Sequence, residues 1–328
     1  MTGTILFLLL GFILLVGGGE VLVRGAVRLA ERLGLPPMLI GLTIVGLGTS
    51  MPELAASVQA ALAGSPGIAL GNIVGSNLAN TLLILGTAAL IAPAFLSRSV
   101  LWRDGLVGLG GVLLLMLAGQ TIGLDRWAGA AFLLVLGGYL WLAFKQETTG
   151  VHGAAGDRAL AVEGADPALL PQERPSGSLW GAIGLFLVGM ALIVAGGVVL
   201  IDAAVDIAER LGVSDTVIGL TIVAAGTSFP ELATTVIAAI RKQSDIALGN
   251  VLGSNIYNIF FIGGVTGLVA PGPIPEAILR FDLWVLLTAA LAAIVFAYTG
   301  GRLGRREGGV LLASYILFIL FTAGLVRF

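Results

Sequence analysis

One stretch of this chain is written twice. From Gly41 it reads GLTIVGLGTSMPELA and then IALGNIVGSNLAN, and from Gly219 it reads GLTIVAAGTSFPELA and then IALGNVLGSNIYN. Between Ala30 and Gly86 roughly 32 of 57 residues are identical to their counterparts 178 positions later, with no gap. Whatever the first half builds, the second must build again. Each copy also sets a Glu, a Pro and a row of hydroxyl and amide side chains inside strongly apolar sequence, where polar groups are expensive and mark function.

The solvent follows from composition. With 57% hydrophobic and 11% charged residues and a mean hydropathy of +1.04, against ~25% charge in a soluble domain, the chain reads as an all-α integral membrane protein. Taking ~20 apolar residues per crossing, about ten transmembrane helices are expected. In the first half (1–144) they fall near Ile5 to Leu29, Pro37 to Ala63, Ile68 to Pro93, Leu101 to Ala118 and Leu124 to Phe144. In the second half (179–328) they fall near Leu179 to Ala208, Thr216 to Ile240, Ile246 to Val269, Phe281 to Tyr298 and Gly308 to Leu325. The repeats proper occupy 41–86 and 219–264. Residues 145–178, with Gly, Pro and mixed charge, read as an extramembrane linker. The first span has no preceding positive charge and too long an apolar run for a signal peptide, so it is expected to stay.

Five spans per half is odd, so the second copy enters the bilayer from the opposite side. The result is two inverted five-helix repeats about a pseudo-two-fold axis in the membrane plane, with a site near the midplane where they meet. With helix-end arginines counted with their nearest loop, the loops after odd-numbered spans hold Arg24, Arg28, Arg32, Arg98, Arg103, Lys145, Arg158, Arg174, Arg241, Lys242, Arg302, Arg305 and Arg306; the other side holds Arg126, Arg210, Arg280 and Arg327. The positive-inside rule then makes the linker cytoplasmic and both termini external, in the cell (inner or plasma) membrane. Arg24 and Arg28 align with Asp202 and Asp206, but inversion puts the two pairs at opposite ends, so they are expected to stay separate.

The chemistry gathers in the second and seventh spans. Gly46, Thr49, Ser50 and Glu53 share one helix face, and Ala224, Thr227, Ser228 and Glu231 repeat it. Pro52 and Pro230 should kink each helix just before its Glu and free backbone carbonyls where they line a cavity. The third and eighth spans add Asn72, Ser76 and Asn80, and Asn250, Ser254 and Asn258, each series spaced by four. Kinks, backbone-bonded hydroxyls and small-residue packing each have structural explanations. A buried carboxylate among such groups, present twice, does not. Carboxylate, hydroxyl, amide and carbonyl oxygens suit a hard cation: Ca²⁺ takes ~6–8 of them, and Na⁺ can use subsets. With no Cys and the single His152 in the linker, thiolate chemistry, most zinc and haem schemes, and a hydrolase with a nucleophile and base find no residues. An acid dyad of Glu53 and Glu231, or a passive cation channel, stays as an alternative.

GTSMPELA with GNIVGSNLAN, and GTSFPELA with GNVLGSNIYN, resemble the two α-repeats of the cation/Ca²⁺ antiporter superfamily, most closely prokaryotic sodium/calcium exchangers. The resemblance implies Glu53 and Glu231 as central ligands shared by Ca²⁺ and Na⁺. It adds oxygens from Thr49, Ser50, Thr227 and Ser228, the backbones of Gly46 and Ala224 at outlying Na⁺ sites, and Ser76, Asn80, Ser254 and Asn258 closing the cage. It also implies that the first and sixth spans slide as a pair against the rest. Some members, including potassium-dependent exchangers, carry Asp where this chain has Asn258, so exchange of Ca²⁺ for Na⁺ without K⁺ is expected, with Ca²⁺/H⁺ antiport as the alternative. No cofactor is expected; Ca²⁺ and Na⁺ are cargo. The expected partners are inorganic cations and the lipid bilayer, not nucleic acid, and the oligomeric state is left open.

Overall fold

The computed structural model describes residues 2–93, 100–149, 178–210, 226–300 and 302–322, and among these the regular structure is helical, with an isolated bridge between Leu124 and Gly272. In chain order the helices are α1 (Thr2–Leu33), α2 (Pro37–Thr49), α3 (Met51–Leu62), α4 (Pro66–Ile91), α5 (Leu101–Thr121), α6 (Arg126–Thr149), α7 (Leu179–Arg210), α8 (Phe229–Ile240), α9 (Ser244–Val269), α10 (Ile278–Thr299) and α11 (Arg305–Thr322). Seven of them, α1, α4, α5, α6, α7, α9 and α10, are long and apolar enough to cross a membrane, and the bent pair α2–α3 makes an eighth. Their outer faces carry Ile13, Trp127, Leu134 and Trp180, all largely exposed, a surface whose natural solvent is lipid. The seventh expected span, Thr216 to Ile240, is described only from Gly226 onward.

α1 and α7 lie antiparallel along a glycine seam. A Cβ on Gly11 would sit 2.8 Å from Leu200, one on Gly18 2.8 Å from the Ile193 nitrogen, and one on Gly25 2.5 Å from the Phe186 nitrogen; Gly189 and Gly196 return the contact against Leu22 and Leu15. Glycine every seventh residue on α1 lets two backbones touch, which is how helices gain dispersion energy in lipid. The remaining helices enclose α4 and α9. These two carry fully buried side chains such as Ile73, Leu78, Ile84, Ile246, Ile256 and Phe260, and each opens into one wide π-helical turn at matching positions, Ala79–Ile84 and Tyr257–Ile262. α2 crosses α9 backbone to backbone, since a Cβ on Gly249 would meet the Met38 carbonyl at 2.6 Å.

One charge placement differs from the sequence expectation and another meets it. Arg103, counted above with the loop arginines, is almost wholly buried: it pairs with Asp104 and, at 3.0 Å, with Glu147, while the Tyr139 hydroxyl donates to Asp104. That ion pair also explains why α6 continues to Thr149, five residues into the expected linker; residues 150–177 lie outside the described set. Arg24 and Asp206 are indeed apart. Arg24 binds Glu20 at 2.6 Å, whereas Asp206 binds Arg210 at 2.9 Å and accepts from Thr4 at the far end of the helix pair.

Candidate cation site

The local fold of the site starts from a break. After Thr49 the backbone leaves the helix at Ser50 (φ −84°, ψ 5°) and restarts at Met51, bending α2 against α3 by 41°. Pro52 falls in the first turn of α3, where a missing N–H costs nothing because those donors lack helical acceptors. Ser228 (φ −89°, ψ 5°) and Pro230 repeat the arrangement at the start of α8. Each Glu is therefore the third residue of a short helix, with the positive end of that helix beside its carboxylate.

Ser50 and Glu53, like Ser228 and Glu231, have the spacing of a capping box, in which the serine would serve its own helix. Neither serine does so. Ser50 Oγ instead donates to Glu231 Oε1 at 3.2 Å, and Ser228 Oγ donates to Glu53 Oε1 at 3.2 Å. The box is exchanged between the repeats.

The same exchange recurs around it. Thr49 Oγ1 donates to Asn250 Oδ1 at 3.1 Å, and Thr227 Oγ1 to Asn72 Oδ1 at 3.2 Å. Asn72 Nδ2 donates to the Glu53 carbonyl at 3.1 Å and to Ser57 at 2.9 Å, while Asn250 Nδ2 donates to the Glu231 carbonyl at 3.3 Å and to Thr235 at 2.9 Å. Asn72 and Asn250 thus brace the glutamate helices. Ser57 and Thr235, which sequence reasoning passed over, complete those braces; their signal was a hydroxyl at the same offset in both copies, one turn past each Glu. Ser254 Oγ reaches the Gly46 carbonyl at 3.5 Å and lies 3.5 Å from Thr49 Oγ1. Ala224 lies outside the described residues.

Burial is close to complete: Glu53 is 1% exposed and Glu231 0%. Each carboxylate commits Oε1 to the opposite serine and leaves Oε2 without a protein partner. The Ser76 hydroxyl and the side-chain amides of Asn80 and Asn258 are likewise buried and unpartnered. Unsatisfied polar atoms in an apolar interior are costly and need a reason. Here five hard oxygen donors, Glu53 Oε2, Glu231 Oε2, Ser76 Oγ, Asn80 Oδ1 and Asn258 Oδ1, come from the helices that carry the duplicated motifs. Such donors can take a cation stripped of water. Among the described residues no third acidic, histidine or cysteine side chain joins the pair.

A family model described as sodium/calcium exchanger protein matches residues 3–145 and again 181–324. CaxA of Alkalimonas amylolytica is 38% identical over 97% of this chain and 98% of its own length. The sodium/calcium exchanger MaX1 of Methanosarcina acetivorans is 35% identical over 98% of each. A solved structure of the sodium-calcium exchanger NCX_Mj superposes with a TM-score of 0.79 at 31% identity, covering 96% of this chain and 97% of the other. The chain belongs to the sodium/calcium exchanger family of cation antiporters.

Proposed function

We propose that this protein exchanges Ca²⁺ for Na⁺ by alternating access, independently of K⁺, at a cage formed by Glu53 and Glu231. The observation that carries this reading is the pair of serine-anchored carboxylates, each holding one buried oxygen with no protein partner. Two carboxylates balance one Ca²⁺. When it leaves, like charges face each other in a poor dielectric, so the empty cage resists reorientation until Na⁺ refills it. Thr49, Ser50, Thr227 and Ser228, the backbones of Gly46 and Ala224, and Ser76, Asn80, Ser254 and Asn258 supply the remaining oxygens. Hydroxyl and carbonyl groups in this number favour Na⁺ over H⁺ as the counter-ion, and the neutral amide of Asn258 leaves the cage without the third carboxylate that a K⁺-dependent exchange would use.

The proposed frame is ten spans in two inverted halves, 1–144 and 179–328. To the eight spans above it adds α8 with the residues preceding it, and α11, whose first turn carries Arg305, Arg306 and Glu307. The hydrogen bonds support inversion: Ser50 to Glu231 and Ser228 to Glu53, Thr49 to Asn250 and Thr227 to Asn72 interchange when the halves are exchanged, as a two-fold axis requires. The linker is cytoplasmic and both termini are external, in the plasma membrane. Ca²⁺ uptake into proteoliposomes, driven by a Na⁺ gradient and separately by a pH gradient, with and without K⁺, tests the assignment. Na⁺ alone should drive uptake; uptake driven by pH and indifferent to Na⁺ would replace it with Ca²⁺/H⁺ antiport.

A further inference from the structure

Residues related by the repeat are not in equivalent surroundings where α1 and α7 meet the glutamate helices. Gly19 on α1 is pressed against α8: a Cβ there would lie 3.0 Å from Ile237 Cγ1 and 3.4 Å from the Ala233 carbonyl. Its counterpart on α7, Gly197, would meet no described atom within 4 Å. The exposures agree. Ala55 and Gln59 on α3 are exposed, whereas Ala233 and Ile237, their counterparts on α8, are partly covered. α1 thus covers α8, and among the described residues α7 lays no matching cover on α3.

The covered side carries an ion pair that the other side has no residues to copy. Glu20 accepts from Arg241, just past the end of α8, in a two-pronged contact: Nε to Oε2 at 2.7 Å and Nη2 to Oε1 at 2.5 Å. Arg24 holds the same carboxylate at 2.6 Å from its own helix. At the repeat-related positions stand Val198 and Ala63. Arg241 is aimed by the turn that ends α8, where Lys242 takes a left-handed conformation (φ 58°) and Gln243 N–H bonds the Ala238 carbonyl at 2.8 Å.

We infer that Glu20 and Arg241 form a one-sided latch that holds the α8 passage closed and tilts the access equilibrium toward the state open along α3. A fork geometry between a carboxylate and a guanidinium is orientation-specific, so sliding α1 along α8 breaks it. The mirror movement of α7 onto α3 gains only an apolar contact. The two access states of a near-symmetric transporter are thereby made unequal by one pair. Half-exposed as it is, the pair should shift the populations roughly two- to fivefold.

This inference rests on the alternating-access reading, and its test reads access rather than transport. The chain has no cysteine, so Gln59→Cys and Ile237→Cys each introduce a single thiol, whose rate of reaction with a hydrophilic maleimide is measured in detergent. Gln59→Cys should react quickly and Ile237→Cys slowly. Adding Arg241→Gln should raise the Ile237→Cys rate two- to fivefold and lower that of Gln59→Cys. Installing the pair on the other side, Val198→Glu with Ala63→Arg, should do the opposite. Unchanged rates with Arg241→Gln, in protein whose melting temperature is unchanged, overturn the latch. Na⁺-driven Ca²⁺ flux in the unaltered protein, measured in parallel, decides the transport reading on its own.

Discussion

α3 and α8 are the same helix written twice, alike at the site and unlike in what covers them. Both begin at a serine with ψ near zero, both carry Pro second and Glu third, and both offer a carboxylate to the other's serine. Beyond the first turn α1 partly covers Ala233 and Ile237 of α8, whereas their counterparts on α3, Ala55 and Gln59, are exposed. The chemistry is thus held symmetric while the access to it is not. A single conformation can make identical sequences unequal only through contacts each copy lacks in that state, so the difference between the copies traces what moves.

The largest expected effect attacks the symmetric part. Glu53→Gln and Glu231→Gln should each cut Na⁺-driven Ca²⁺ flux in proteoliposomes by ~100-fold or more, equally in the two copies, with the protein still folded. Flux retained in either variant breaks the idea of one shared cage. Next come the serines. Ser50→Ala and Ser228→Ala each remove a bond to a charged acceptor and should weaken Ca²⁺ binding by calorimetry ~10-fold, again alike; a tenfold disparity between them would show that the exchanged capping bonds are not equivalent in solution.

The asymmetric part responds differently. Gly197→Val adds a side chain where the structure is open, so melting temperature and Ca²⁺ binding should hold while transport slows ~10-fold or more, because overpacking costs ~1–3 kcal/mol in the state that closes α7 on α3. Equal transport rates would mean that α7 never makes the approach α1 makes at Gly19. The smallest effect is expected at Lys242, whose counterpart in the first copy is Gly64 (φ 76°). Lys242→Gly relieves ~1 kcal/mol of left-handed backbone strain and should raise the melting temperature by about 1–2 °C, with no such gain for Gly64→Ala, which should lower it.

Much of this was legible in the sequence because the duplication points to it. Glu53 and Glu231, the breaks before them, and the oxygen-bearing faces of α4 and α9 follow from offset, spacing and proline chemistry. What escaped has physical reasons. The exchanged serines look like local caps, and only tertiary contact reveals their real acceptors. Arg103 looks like a loop charge until Asp104, Glu147 and Tyr139 surround it. The glycine seam of α1 at 11, 18 and 25 is hidden in a chain with 49 glycines. Access was hard to read, since Gly19 and Gly197 are the same residue at matched positions and only tertiary contact separates them.

The exchanged serines also bear on what a half-molecule is worth. In the ten-span frame proposed above, a five-helix half on its own would hold a glutamate with no serine to anchor it and a serine with no glutamate to serve. Two copies of that half, set head to tail, would meet every requirement of the cage. In that frame the segment joining them replaces a chance encounter of two membrane proteins of opposite orientation with a tethered one at high effective concentration, leaving each half free to diverge. The valine opposite Glu20 and the lysine opposite Gly64 are differences that only a fused pair can keep.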